Sequence, residues 1–212
     1  MPDNDLHIAI AGNIGSGKTT LAGLLAKHLG YRPEYEDPTD NAYIADFYTD
    51  MQRWAFNLQV FFLTRRLQQT VAIQRSGEKV IQDRTLYEDA EIFAPNLLAM
   101  GLMSQRDYDT YRLLYETVVP LVQPPALVLY LRANIATLVD QIAKRNREYE
   151  DSIRIDYLKR LNERYEAWFE AYTLGPKLDV DVDDLNFRDR PEHLGVILQK
   201  VSGELFGLFG TA

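Results

Sequence analysis

The chain contains no cysteine, which rules out a disulfide framework, a thiol nucleophile and a cysteine metal site, and is in keeping with a reducing interior. Basic residues are in the minority: 23 Lys and Arg face 31 Asp and Glu, a formal net charge of -8. A broad basic face for a nucleic-acid backbone is thereby excluded, so no nucleic acid is expected as a partner and any phosphate site has to be basic locally. No apolar stretch reaches the length of a membrane span, and the opening "MPDNDLH" lacks a basic segment followed by an apolar run. Neither a membrane partner nor a secretory leader is expected, and the expected location is the cytoplasm. Internal repeats, low-complexity tracts and linkers are missing too.

What remains is an ordinary globular composition, 46% hydrophobic and 25% charged over 212 residues, which fits a single domain spanning 1–212 with a sizeable core. Short apolar runs at 6–11, 33–36, 79–82, 126–131 and 177–182 alternate with helical patterns near 18–29, 40–48, 50–75, 87–101, 105–119, 134–147, 152–173 and 190–207. This alternation predicts an α/β fold, a five-stranded parallel sheet wrapped by helices in three layers. Ligands of such sheets sit at the carboxyl ends of the strands, so the residues just after each run are where chemistry is expected.

The first run leads into "IAIAGNIGSGKTT". Gly12, Gly15 and Gly17 allow successive N–H groups of the segment Gly12, Asn13, Ile14, Gly15, Ser16 and Gly17 to turn inward around phosphate oxygens at a helix N-terminus. Lys18 adds a point charge for the terminal phosphates. Thr19, with Thr20 next to it, supplies a hydroxyl of the kind Mg2+ on a nucleoside triphosphate takes as ligand. A phosphate-loop fold is the class this spacing predicts.

After the second run come Glu36, Asp37 and Asp40. An acid here can accept the proton of an attacking hydroxyl; Thr39 or Asp40 can instead cap the next helix, whereas Glu36 sits too early to cap. The third run ends at Asp83, placed to hold magnesium directly or through water, and next comes Arg84, whose burial calls for an anion such as Glu36 or a transferring phosphoryl group. A purely structural Asp–Arg pair is the other reading. Lys144, Arg145 and Arg147 crowd the end of a helix, where they either complement its dipole or form a lid around 144–152 that closes over a triphosphate. On the long helix, Gln59 and Arg66 lie seven residues apart on nearly one face, offering an amide to a planar heterocycle and a cation to an acid, while Trp54 borders either a base pocket or only core.

Taken together, the loop at 12–19, Glu36 before a segment ending "DFY", "W-x-F-x-x-Q" at 54–59, "DRTLYEDA" at 83–90 and "KRNREYE" at 144–150 resemble the deoxyribonucleoside kinases, bacterial deoxyadenosine and deoxyguanosine kinases and animal deoxycytidine kinase among them. The resemblance covers almost the whole chain. It implies ATP-dependent phosphorylation of a deoxynucleoside 5'-hydroxyl in nucleotide salvage, deoxyadenosine first and deoxycytidine or deoxyguanosine next, with Mg2+ accompanying ATP and with pairing as a homodimer. It further implies Glu36 as the base, Arg84 as its ionic partner and a stabiliser of the phosphoryl group, and Asp83 and Thr19 near magnesium. Tyr48 and Glu150 match a pair that grips the sugar 3'-hydroxyl; Trp54, Gln59, Arg66 and Asp89 match a base pocket; Arg145 and Arg147 match lid arginines. Gln141 and Asn146 depart from the family's lid, which has an arginine and a glycine there. The segment "LDVDVDDLNF", 178–187, resembles the loop around the donor's adenine.

Two rival readings share parts of this pattern. A nucleoside monophosphate kinase of the thymidylate kinase type needs a cation near the second strand, where Glu36 and Asp37 would repel an acceptor phosphate. A non-catalytic nucleotide switch needs a guanine-specific Asn-Lys-x-Asp segment, which the chain lacks. For pairing, the stripe Tyr157, Leu161, Tyr165 and Trp168 on the 152–173 helix suits either a dimer face or the core.

Overall fold

A computed structural model describes residues 7–36, 41–147, 150 and 153–207. Five strands, β1 (His7–Gly12), β2 (Arg32–Glu34), β3 (Val80–Asp83), β4 (Leu127–Arg132) and β5 (Lys177–Asp181), form one sheet in the order β2-β3-β1-β4-β5. Every neighbouring pair is parallel, an arrangement that requires connections long enough to carry a helix. The three inner strands are buried on both faces, which is why they read as near-continuous apolar runs; the edge strands β2 and β5 are only partly covered. Ile10 pairs with Asp83 and Ala11 with Tyr130, so β1 and β3 deliver the phosphate loop and Asp83 to the same end of the sheet.

Helix α1 (Lys18–Leu29) starts on Gly17 and ends on Gly30, both in left-handed backbone that favours glycine. After β2 come the short α2 (Ile44–Thr49) and then α3 (Met51–Ser76), 26 residues long, opened by the Asp50 side chain accepting from the Arg53 N–H at 3.0 Å. Beyond β3 the single helix expected over 87–101 is three pieces: α4 (Leu86–Glu88), a π-helical turn over Asp89–Phe93, and α5 (Ala94–Ala99) with a proline in its first turn. The wider turn precedes Pro95, whose missing N–H suits the start of a new helix. The remaining helices are α6 (Gln105–Val118), α7 (Ile135–Arg145), α8 (Ile155–Ala171) and α9 (Pro191–Phe206).

Other expected boundaries shift by a few residues. β1 reaches Gly12 and β2 stops at Glu34, leaving Glu36 beyond the strand rather than in it. α7 ends at Arg145 because Asn146 takes the left-handed conformation, φ 50°, that closes helices; Arg147 therefore lies past the helix. Leu6, Asp37, Thr39, Asp40 and the lid segment's residues 148, 149, 151 and 152 lie outside the described residues. The stripe on α8 turns inward: Tyr157, Leu161 and Tyr165 are buried against Phe93, Leu97 and Tyr130, with Trp168 partly buried beside them. Core packing accounts for it, and it is no dimer face. Among the described residues, no helix is long and apolar enough to cross a membrane.

Candidate functional site

The phosphate loop is built from its own backbone and anchored by one side chain. Asn13 donates its amide N–H groups to the Leu158 carbonyl and to Asn162 Oδ1 at 3.0 and 3.1 Å, while its Oδ1 accepts from the Ile14 N–H at 2.8 Å. α8 thus holds the loop open from behind. Gly15, φ 85°, presses against α7: a Cβ there would meet the Leu138 carbonyl oxygen at 2.8 Å and Ile142 at 2.9 Å. Lys18, the first residue of α1, bends back to donate to the Asn13 carbonyl at 2.9 Å. Burial, with Arg84 nearby, lowers its ammonium to about 7, so a bound polyanion would be the group that holds the charge. Ser16 is buried with its hydroxyl unpartnered.

Thr19 Oγ1 donates to Asp83 Oδ2 at 2.5 Å, and the other oxygen of this buried carboxylate has no partner. A hydroxyl and a carboxylate oxygen left over at the phosphate loop fit a hard divalent cation that takes few protein ligands and fills its sphere with phosphate and water. Among the described residues there is no cluster of three or more His, Cys, Asp or Glu that would make a self-sufficient metal site.

Beside this lies a chain of buried charges of alternating sign. Asp89 accepts from Arg66 Nε at 2.6 Å; a terminal nitrogen of Arg66 reaches Glu36 Oε1 at 3.0 Å; Arg84 Nε lies 3.6 Å from Glu36 Oε2 and 4.0 Å from Glu88 Oε1. Arg66 and Asp89 are only 2% exposed and Glu36 is 22% exposed, so solvent reaches the chain at Glu36. Burial alone would raise the Glu36 carboxyl, but Arg66, Arg84 and Lys18 overcome it and hold it at about 2, ionised at any working pH. Burial pushes Asp89 up to about 6 against the pull of Arg66 and Arg84, which leaves it ionised at neutrality. Arg84 itself has a left-handed backbone, φ 70°, rare for a residue with a side chain, and its guanidinium lies 4.6 Å from the Phe93 ring centroid.

One cleft gathers Lys18, Thr19, Glu36, Tyr48, Gln59, Asp83, Arg84, Asp89, Arg145, Arg147 and Glu150, walled by apolar residues such as Phe47, Leu58, Phe62 and Phe93. Gln59 is buried and its amide oxygen has no partner. Glu150 is paired with both lid arginines, accepting from Arg145 at 2.6 and 3.0 Å and lying 3.6 Å from Arg147. Trp54 is not on the cleft wall among the described residues: it packs on Tyr43, ring centroids 5.8 Å apart, with the Arg53 guanidinium over it. Arg66 also stands off the wall, behind Asp89 and Glu36.

A second cleft opens on the other side of the phosphate loop, lined by Gly15, Ser16, Gly17, Thr20, Gln141, Lys144 and residues between Val182 and Asp189. Of the segment 178–187, the part to Asp181 belongs to strand β5, as the apolar run at 177–182 predicts; the later residues, from Val182 on, reach this cleft, with Phe187 set against Gly17. Glu88 and Asn162, which hold Arg84 and the phosphate loop from behind, do not stand out in the sequence, and Tyr165, visible there only as part of an apolar stripe, donates its hydroxyl to Glu88. A signal for Glu88 is present all the same, since Thr85-x-x-Glu88 has capping-box spacing, and the box forms.

Phosphate loop, adjoining carboxylate and buried cations on a parallel sheet define a phosphate-loop nucleotide-binding protein. The chain belongs to the deoxynucleoside kinase family, whose model matches residues 8–206. It is 33% identical over 204 residues to the deoxyadenosine/deoxycytidine kinase of Bacillus subtilis (strain 168), covering 95% of this chain and 94% of that one. It is 36% identical over 207 residues to a deoxyguanosine kinase of Lactobacillus johnsonii, covering 92% of each. Among solved structures it resembles deoxyadenosine kinase from M. mycoides, with bound dATP at a TM-score of 0.81 and 32% identity over 92% of this chain and 99% of that one. With bound dCTP, the same kinase gives a TM-score of 0.80 over 93% and 99%. The chain is accordingly an enzyme of the deoxynucleoside kinase type.

Proposed function

We propose that this kinase transfers the γ-phosphoryl group of ATP to the 5'-hydroxyl of a deoxyribonucleoside, deoxyadenosine first, deoxycytidine and deoxyguanosine next and thymidine poorest. The observation that carries the base preference is the Asp89 carboxylate on the cleft wall, in the same lining as the buried amide of Gln59. A carboxylate only accepts, so the exocyclic amino group of adenine or cytosine suits it while the corresponding oxygen of thymine is repelled, and the Gln59 amide adds a donor and an acceptor for the rest of the base edge. The purine preference leans on the named relatives, several of which are deoxyadenosine or deoxyguanosine kinases.

In this reading Tyr48 and Glu150 hold the sugar, and Glu36 accepts the 5'-hydroxyl proton. A carboxylate held at about 2 is a weak base, yet phosphoryl transfer passes through a loose transition state in which that proton leaves late, so placement matters more than basicity. Lys18 and Arg84, with Arg145 and Arg147 released from Glu150, meet the charge on the transferring group. Mg2+, held through Thr19 and Asp83, would neutralise donor phosphate charge. The donor's adenine would lie in the second cleft, against the 182–187 segment. We also propose a cytoplasmic location and a homodimer; with the α8 stripe inward, Leu113 on α6 and Leu121 just beyond it, 67% and 72% exposed, are the most exposed large apolar residues among those described and the ones we assign to pairing.

The deciding experiment incubates the protein with γ-labelled ATP and each of the four deoxynucleosides, with and without Mg2+. Label in a 5'-monophosphate is expected most with deoxyadenosine; a protein that prefers thymidine, or that labels none of the four, overturns the reading.

A further inference from the structure

Glu88 is fully buried, and nothing in the transfer chemistry above uses it. Its two oxygens do different work. Oε2 accepts from the Thr85 N–H at 2.8 Å and from the Thr85 hydroxyl at 3.4 Å, closing the capping box of α4. Oε1 accepts from the Gly12 N–H at 3.3 Å and from the Tyr165 hydroxyl at 2.8 Å, and is the oxygen 4.0 Å from Arg84 Nε. Capping a three-residue helix explains the first set and leaves the second unexplained. An ionised carboxylate is expensive to bury, and a neutral side chain would cap as well.

The second set converges on the phosphate loop and Arg84. The Gly12 peptide is held from both sides, its N–H by Glu88 and its carbonyl by Arg84 Nη2 at 3.4 Å. Arg84 Nε has no hydrogen-bond partner although carboxylates stand on two sides of it, Glu36 at 3.6 Å and Glu88 at 4.0 Å. We propose that Glu88 is a positioning residue for phosphoryl transfer: its buried charge holds Arg84 between two carboxylates and ties that arginine to the first glycine of the phosphate loop. Without Glu88, Glu36 is the nearer anion remaining, and the guanidinium closes on it. That contact occupies the carboxylate that receives the hydroxyl proton and turns Arg84 away from the donor phosphates. Because Glu88 does not line either cleft, the loss falls on turnover and not on substrate binding.

This inference rests on the assignment of Arg84 to the transfer step, so the test separates the two. Steady-state kinetics for both substrates, with thermal melts, are measured on the full chain carrying Glu88→Gln, Arg84→Ala, both together, and Tyr165→Phe. Glu88→Gln is expected to lower kcat by about tenfold or more, as displacement of a catalytic group does, with both KM values within about twofold of wild type. In the Arg84→Ala background the same change should cost less than about twofold, because the two residues act as one unit. Wild-type kcat with only a lower melting temperature, or a full loss of kcat persisting in the Arg84→Ala background, overturns the proposal. Wild-type turnover in Arg84→Ala alone sinks the assignment of Arg84 instead. Should Glu88→Gln fail to fold, Tyr165→Phe takes its place: a fall in kcat that vanishes in the Arg84→Ala background supports the proposal, and unchanged kcat overturns it.

Discussion

Removing the guanidinium of Arg66 should destabilise the protein more than removing the carboxylate of Asp89, although the two are partners 2.6 Å apart. Arg66 serves two anions, Asp89 and, at 3.0 Å, Glu36. Arg66→Met therefore strands Asp89 and leaves Glu36 to Arg84, 3.6 Å away, and breaking a buried pair by removing one partner costs about 3–5 kcal/mol. Glu36, 22% exposed, recovers part of its share by hydration, which keeps the total near the low end. Asp89→Asn leaves Arg66 its bond to Glu36 and keeps an acceptor oxygen in place. What disappears is the charge assistance of one hydrogen bond, about 1–2 kcal/mol. In a chain of this size 1 kcal/mol corresponds to about 2–4 °C, so melting points should fall by about 6–12 °C for Arg66→Met against about 2–8 °C for Asp89→Asn. Urea titrations at pH 7, monitored by tryptophan fluorescence, give the two free energies directly. Equal losses, or a larger loss for Asp89→Asn, would refute the idea that Arg66 is the shared cation.

Glu36→Gln keeps size and hydrogen bonding but removes the proton acceptor, so turnover should fall by about a hundredfold or more with ATP binding little changed; wild-type turnover would move the role elsewhere. Lys18→Ala should abolish transfer while circular dichroism stays native, and a folded variant with near-normal turnover contradicts the phosphate-loop assignment. His7, buried and bonded to Gln82 at 2.9 Å, is lowered by burial to about 4. The unfolded chain takes up that proton first, near its ordinary value of about 6.5, so stability is complete above that pH and declines as pH falls toward 4, by about 3 kcal/mol in all. His7→Gln should remove this part of the acid sensitivity, measured as the difference in unfolding free energy between pH 7 and pH 4.5; an unchanged difference counts against it.

The inner strands were legible in sequence because burial on both faces leaves nothing but apolar residues in them, and the catalytic candidates were legible from being next in the chain after a strand. Glu36, Asp83 and Arg84 meet in one cleft for that reason. The bond from Arg66 to Glu36 was not legible, since it joins α3 to the end of β2 across 30 residues and depends on how two elements are set against each other. The π-helical turn at Asp89–Phe93 differs from a helix by one residue per turn, too little for periodicity to show, although Pro95 marked the break. The apolar stripe on α8 was visible as a stripe, but spacing cannot say what covers it. Trp54 shows the same limit in reverse: a motif position can be filled while the side chain packs elsewhere, here on Tyr43.

The alternation of sign along Asp89, Arg66, Glu36, Arg84 and Glu88 also bears on how such a protein can diverge. Each arginine answers to two carboxylates, and the outer one of each pair has no other cation in the chain: without Arg66 it is Asp89 that is stranded, without Arg84 it is Glu88, so a second exchange has to arrive before either is tolerated. Paths that begin at either arginine are closed to single substitutions. The neutral wall of the same cleft is under no such restriction: Ile44, Phe47 and Leu58 border the ligand space without supporting any ion. New preferences for one base over another should therefore accumulate among those three, while the two arginines pass unchanged from ancestor to descendant.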